Sequence, residues 1–373
     1  MVSQRVTEIF DKIRETVEQY SGVMDIENKI PDKLLEVLRE NKIHALTLSE
    51  NYGGLNLGIQ ETIIFLRLIG SISPALGLSL MVHYQVCEIL KKKELEEFLS
   101  VVSSRNSFEG LGITELSGGS DISKIETIAK VSDDSIIING QKSFVTNALY
   151  ADFFAILARV GAKELGLIIV EKKDGVEVGP TLKLIGMRGS GISRVIFRDV
   201  EVPKKNLIAT GKEALKLTFH ALNFGRIATG AISIGVADRL LSEMMKWINV
   251  RELFGKKLSD NEYVQQRIAD ITARAEAAWL ATIKAAEKMD AGEDARFLAS
   301  ISKLEASKVA MDTAVYAMQL LASHAYIQGS IIEKFYRDVK ALEIMEGANE
   351  VQRMLIFREL MRRFKYGEGM VTL

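Results

Sequence analysis

Cysteine is almost missing from this 373-residue chain, and the one present, Cys87, stands alone. It can neither form an intrachain disulfide nor complete a cysteine metal cage, which fits a reducing compartment. Proline is nearly as scarce. Pro31, Pro74, Pro180 and Pro203 are the full set, so nothing beyond position 203 stops a long helix. His44, His83, His220 and His324 have no second histidine or cysteine at ligand spacing, so no metal site is expected. Charge of one sign is also lacking: 48 Lys and Arg against 49 Asp and Glu leave a formal charge of −1. Without a basic surplus, nucleic acid is not an expected partner. Long apolar runs are absent as well. The most membrane-like stretch, 68–82, is uncharged but short, and Gly70, Pro74, Gly77 and serines interrupt it, which predicts a buried helix pair and no membrane span. The opening MVSQRVTEIFDKIRE mixes charge with apolar residues at helical spacing and lacks a secretory apolar core, so it reads as a mature cytoplasmic start.

What is present suffices for a large core: 47% of residues are hydrophobic and 26% charged, which excludes a disordered tail, a collagen-like fibre and a small disulfide scaffold. Helical spacing marks the region before about residue 105, as in Leu34, Leu35, Leu38 and Ile43. It returns after Pro203, where Ile227, Ala231, Ile234, Ala237, Leu241, Met244 and Ile248 make one stripe. Between them SIIINGQKSFVT, FFAILARV, LGLIIVEK and SRVIFRDVEV read as strands, and Asn139-Gly140 predicts a tight hairpin turn with antiparallel pairing. The order is α+β, with a β unit inserted between two helical units.

No Gly-x-Ser-x-Gly elbow, Walker loop or dinucleotide-binding Gly-x-Gly-x-x-Gly unit is present. Four other clusters stand out. Gly112 to Asp121 combines glycines with Thr114 and Ser120, either an anion cradle or a plain surface turn. In Lys142 to Asn147, strand alternation places Phe144 and Thr146 on one face, suited to a flat ring or to ordinary core packing. Arg251 and Phe254 lie three apart before Gly255, a pairing for pyrophosphate and adenine or a simple helix end. Lastly, Ile344-Met345 runs into Glu346 and then Gly347. A carboxylate at a helix end in partly apolar surroundings has a raised pKa and serves as a general base, unless it is merely solvated.

Together and in this order the clusters resemble the acyl-CoA dehydrogenase family over essentially the whole chain. The resemblance is carried by Tyr52-Gly53-Gly54, Thr114-Glu115 through Gly119-Ser120-Asp121, Val200 to Pro203, and Arg251-x-x-Phe254-Gly255. Ala269-Asp270, Gln319, Tyr336-Arg337-Asp338 and Glu346-Gly347-Ala348-Asn349-Glu350 complete it. It implies an all-helical N-terminal domain over 1–108, a central antiparallel β domain over 109–212 and a C-terminal four-helix bundle over 213–373. The implied cofactor is FAD, the substrate an acyl-CoA thioester, and the product a trans-2-enoyl-CoA.

By the same resemblance Glu346 takes the α-proton while flavin N5 accepts the β-hydride, and the Glu346 backbone N–H with a flavin hydroxyl polarises the thioester oxygen. Some members supply the base from just before the position of Arg226; here that place holds Gly225. Leu111, Ile113, Thr114, Ser120, Phe144 and Thr146 would meet the flavin of their own subunit. Arg251, Phe254, Glu262, Gln319 and Ser323 would serve a neighbouring subunit's FAD, with Ala348 and Glu350 also at cofactor positions. Ser120, Asn223, Arg226 and Gly347 would line the acyl-CoA site. An electron-transfer flavoprotein is the implied acceptor and a homotetramer, built as a dimer of dimers, the implied assembly. Departures from the family pattern are Leu116 for proline, Phe144 for tryptophan, Glu262 for glutamine, Ala322-Ser323 for Gly-Gly, Ala325 for glycine and Ala348 for threonine. They keep open an FAD-poor structural subunit of a hetero-oligomer, and an acyl-CoA oxidase stays open because it shares most of these motifs.

Overall fold

The computed structural model describes residues 4–105, 107–161, 164–367 and 369; the first three residues of the opening segment lie outside these. Five helices come first: α1 (Gln4–Glu27), α2 (Asp32–Glu40), α3 (Ile59–Gly70), α4 (Pro74–Lys92) and α5 (Glu96–Arg105). Leu34, Leu35 and Leu38 are the buried face of α2, as their spacing requires. The uncharged stretch splits where its breakers fall. Helix α3 ends at Gly70, and Ser73 caps α4, accepting from Leu76 N at 3.4 Å, with Pro74 in the first turn. From Pro74 to Leu90 every residue of α4 is buried. Among the described residues no helix is long and apolar enough to cross a membrane.

The strands are β1 (Gly110–Gly112), β2 (Ile128–Val131), β3 (Ser135–Val145), β4 (Phe153–Arg159), β5 (Leu165–Glu171), β6 (Val176–Val178), β7 (Ser193–Pro203) and β8 (Leu207–Thr210). They form one sheet in the order β6-β7-β3-β2-β4-β5-β8, with β1 added on β4. Pairing is antiparallel except that β1 runs parallel to β4 and β2 meets β4 in parallel at Ile128 and Arg159, so the sheet is not purely antiparallel. The hairpin expected at Asn139-Gly140 is not there. The chain turns at Ser132–Ser135 instead, closed by Ser132 N donating to Ser135 O at 2.9 Å. Asn139-Gly140 lies inside β3 at a register shift against β7. Asn139 exchanges hydrogen bonds with Asp199 on β7, at 2.8 and 2.9 Å, and Gly140 adopts φ +140° where a Cβ would come within 2.7 Å of Thr127 Cα. The pair is a bulge, and glycine is there for close approach.

The chain then returns to helices: α6 (Gly211–Val250), a small ribbon of β9 (Glu252–Leu253) and β10 (Lys256–Lys257), α7 (Glu262–Asp290), α8 (Arg296–Leu321), α9 (Ile331–Ile344) and α10 (Asn349–Tyr366). The single stripe expected on α6 understates its burial. Every residue from Phe224 to Ala237 is buried, because α3, α4, α7, α8 and α9 all pack around this helix.

Candidate active site

Helix α9 stops at Ile344, and the link to α10 puts two residues, Glu346 at φ +56° and Gly347 at φ +86°, in the left-handed region. A glutamate held there carries backbone strain that the surroundings must enforce. Three buried side chains do so. Lys303 on α8 donates to Glu343 O and to Asn349 Oδ1, each at 2.8 Å, and Ser307 Oγ donates to the same Asn349 oxygen at 3.2 Å. Gln352 on α10 donates to Gly347 O at 2.8 Å and Glu346 O at 3.2 Å.

The Glu346 carboxylate lies over α6, half-buried, and Gln85 Nε2 on α4 donates to its Oε2 at 2.8 Å. A Cβ on Gly225 would stand 2.2 Å from that same oxygen, so glycine is the residue that leaves room for the acid. Burial pushes the Glu346 pKa up to about 7, against the pull of the Gln85 hydrogen bond and of the Arg226 and Lys303 charges. Lys303 is itself lowered to about 8 by burial. Arg226 donates to Asn223 Oδ1 at 2.8 Å and its Nε lies 3.5 Å from Glu346 O, so Asn223, Arg226, Glu346 and Gly347 form one cluster.

A second group sits on the sheet. Leu111, Ile113 and Thr114 are half-buried and Ser120 is exposed. Thr114 O accepts from Ser143 N at 2.8 Å, joining this segment to the end of β3. Beneath it Lys142 Nζ and Glu115 Oε1 form a buried ion pair at 2.6 Å, and Thr127 Oγ1 donates to the same oxygen at 2.6 Å. Burial raises the Glu115 pKa, and these donors more than offset it, leaving the acid below its ordinary value. The expected alternation fails at the next step. A register shift between Lys142 and Val145 puts Phe144 at φ +54° with 61% of it exposed, while Thr146 is buried. Asn147 Nδ2 then donates to Ser79 O on α4 at 2.8 Å. Ser79 and Gln85 are six residues apart on α4, about 9 Å along its axis, so one helix anchors both groups.

Arg251, Phe254, Glu262, Gln319 and Ser323 fall elsewhere. Arg251 lies some 25 residues beyond Arg226 along α6, a distance of about 37 Å at 1.5 Å per residue. With Gln319 and Ser323 it lines a cavity of about 330 Å³ beside Trp247, Tyr263 and Tyr316. Phe254, at the tip of the β9–β10 ribbon, is 96% exposed with φ +51°. Glu262 opens α7 and is exposed. Ala322 takes φ +50° and ψ −129°, a conformation suited to glycine, whereas Ala325 is buried in ordinary helical geometry. Ala348 and Glu350 flank the start of α10 near Glu346, with Glu350 exposed and 3.1 Å from Arg353.

Three family descriptions match consecutive parts of the chain: the acyl-CoA dehydrogenase N-terminal domain over residues 4–93, its middle domain over 110–200 and its C-terminal domain over 215–361. The chain belongs to the acyl-CoA dehydrogenase family. Among curated relatives it is 29% identical to an acyl-CoA dehydrogenase of Bacillus subtilis, covering 94% of this chain and 95% of that one. It is 27% identical to a short-chain-specific acyl-CoA dehydrogenase of Clostridium acetobutylicum, covering 97% of each. The solved butyryl-CoA dehydrogenase of Megasphaera elsdenii superposes with a TM-score of 0.90 at 26% identity, over 96% of this chain and 97% of that one.

An acyl-CoA dehydrogenase is an FAD-dependent enzyme, and the residues here fit that cofactor. Phe144 offers an uncovered ring, and the buried Ser143 hydroxyl beside Thr114 has no hydrogen-bond partner among the described residues. Sequence reasoning missed Gln85, Lys303 and Gln352. Gln85 lies in a helix that is buried from Pro74 to Leu90, and nothing local links it to position 346. Lys303, a cation among alanines and serines on α8, was the one visible signal.

Proposed function

We propose that this enzyme oxidises an acyl-CoA thioester between Cα and Cβ to the trans-2-enoyl-CoA, with Glu346 as the base. When bound, FAD supplies the acceptor for the β-hydrogen with its electron pair. Glu346 takes the α-proton. Its carboxyl, held near neutrality by burial, is matched to proton transfer near pH 7. Gly225 leaves the space beneath the acid open, and a side chain there would contend with it. The observation that carries this reading is the half-buried carboxylate seated directly over Gly225. Asn223, Arg226, Gly347 and Ser120 would contact the thioester and CoA. Leu111, Ile113, Thr114, Phe144 and Thr146, with Ser120, would hold the flavin, and Ala348 and Glu350 would adjoin it.

Arg251, Phe254, Glu262, Gln319 and Ser323 are too far along the bundle to reach a flavin held by β1 and β3 of their own chain. They are therefore assigned to the cofactor of a second copy, in a homotetramer built as a dimer of dimers. An electron-transfer flavoprotein is the proposed acceptor, and cytoplasmic β-oxidation the proposed setting, which the single buried cysteine suits. The glycine-like geometry of Ala322 favours a second reading, an FAD-poor subunit paired with an active one. The purified protein decides between them. A yellow protein whose flavin band bleaches on anaerobic addition of an acyl-CoA supports the dehydrogenase, and a colourless one supports the subunit. Glu346→Gln is expected to stay yellow and not bleach; bleaching at the parental rate overturns the assignment of the base.

A further inference from the structure

The amide of Gln85 is turned by its surroundings. Nε2 faces two acceptors, the Glu346 carboxylate at 2.8 Å and Ala221 O on α6 at 3.1 Å, so both of its N–H bonds are spent. The cost is visible at the other end, where Gln85 Oε1 is buried without a hydrogen-bond partner among the described residues. An orphaned acceptor of this kind is unfavourable and is kept only where something offsets it. Flipping the amide would pair Oε1 with no donor and set it against two oxygens. The side chain is wholly buried on α4, and Gly225 lets it and the acid meet.

We infer that Gln85 is the positioning residue of the base: it holds Glu346 by Oε2 and leaves Oε1, which accepts no hydrogen bond among the described residues, as the oxygen that takes the proton. This deepens the reading of Glu346 as the base and rests on it. The charged groups facing the acid from the other packed elements are Arg226 on α6 and Lys303 on α8, the latter influenced in turn by Glu343 and Glu350. Gln85 is the neutral donor among them. Its hydrogen bond favours the ionised acid, so its loss raises the pKa of Glu346 and the reaction needs a higher pH.

The test is the pH profile of anaerobic flavin reduction in the purified holoenzyme at saturating substrate. Butyryl-CoA, octanoyl-CoA and palmitoyl-CoA serve as probes, and the one fastest on the parent is used throughout. Gln85→Leu is expected to move the rising limb up by about one pH unit, the worth of one hydrogen bond to a charged group. Below the midpoint the rate falls roughly tenfold; at high pH it rejoins the parent. A merely structural lesion lowers the rate at every pH. Should Gln85→Leu lose its flavin, Gln85→Glu keeps the shape and adds a like charge, and its limb is also expected to rise. A midpoint unmoved in the flavin-retaining variant, with Glu346→Gln inert, overturns the role of Gln85 alone. Parental bleaching by Glu346→Gln overturns the base and this inference with it.

Discussion

The two ends of α6 are built in opposite ways. Around Gly225 the polar groups are sunk into the protein and matched to one another: Gln85 to Glu346, Lys303 to Asn349, Gln352 to the carbonyls of the α9–α10 link. Around Arg251 they point outward, with Phe254 exposed at the tip of a ribbon and an open cavity alongside. A site whose hydrogen bonds close within one chain can hold a strained glutamate in place. The far end closes no such network around Phe254, which stays 96% exposed. Under the proposed function, tuning of the base and pairing with a second copy fall at separate places, joined by one helix.

The contrast breaks most sharply at Gly225. Gly225→Ala forces Glu346 and Gln85 apart, and displacement of a base by about 1 Å costs on the order of a hundredfold in rate. Flavin reduction by an acyl-CoA is expected to fall by that much while the flavin band of the resting protein is unchanged.

Stability gives the next effect. The folded acid titrates near 7 against an ordinary value of 4.5, so between those values the folded state keeps a proton that the unfolded state has released. Glu346 therefore lowers stability as pH rises through that window, and the loss is complete above about pH 7. Glu346→Gln is expected to raise stability at pH 8 by roughly 3 kcal/mol and to change little at pH 4. Denaturant melts at the two pH values check this, and equal gains at both would contradict it.

The smallest effect is at the open end. Ala322→Gly relieves a left-handed alanine and is expected to stabilise by about 1 kcal/mol. A thermal melt that moves down instead would mean that the alanine makes contacts worth more than the strain.

How much of this could be read beforehand follows the range of the forces involved. The succession of helices, strands and helices was legible because it rests on local periodicity and on four prolines. Glu346 stood out as a candidate because an apolar pair, an acid and a helix-breaking glycine are contiguous. Asn139-Gly140 misled because the same dipeptide serves a turn or a bulge, and its bonds to Asp199, 60 residues away, decide which. The burial of α6 on all sides was hidden because a stripe records one neighbour, whereas five helices surround it. Gln85 was illegible for a related reason: it meets Glu346 across 261 positions of sequence, and only folding brings them together.

Helix α6 runs unbroken for 40 residues, about 60 Å, and acts as a rod rather than a string of hinges. In the proposed function the ribbon that carries Phe254 and the seat of the proton transfer are therefore borne on one continuous helix.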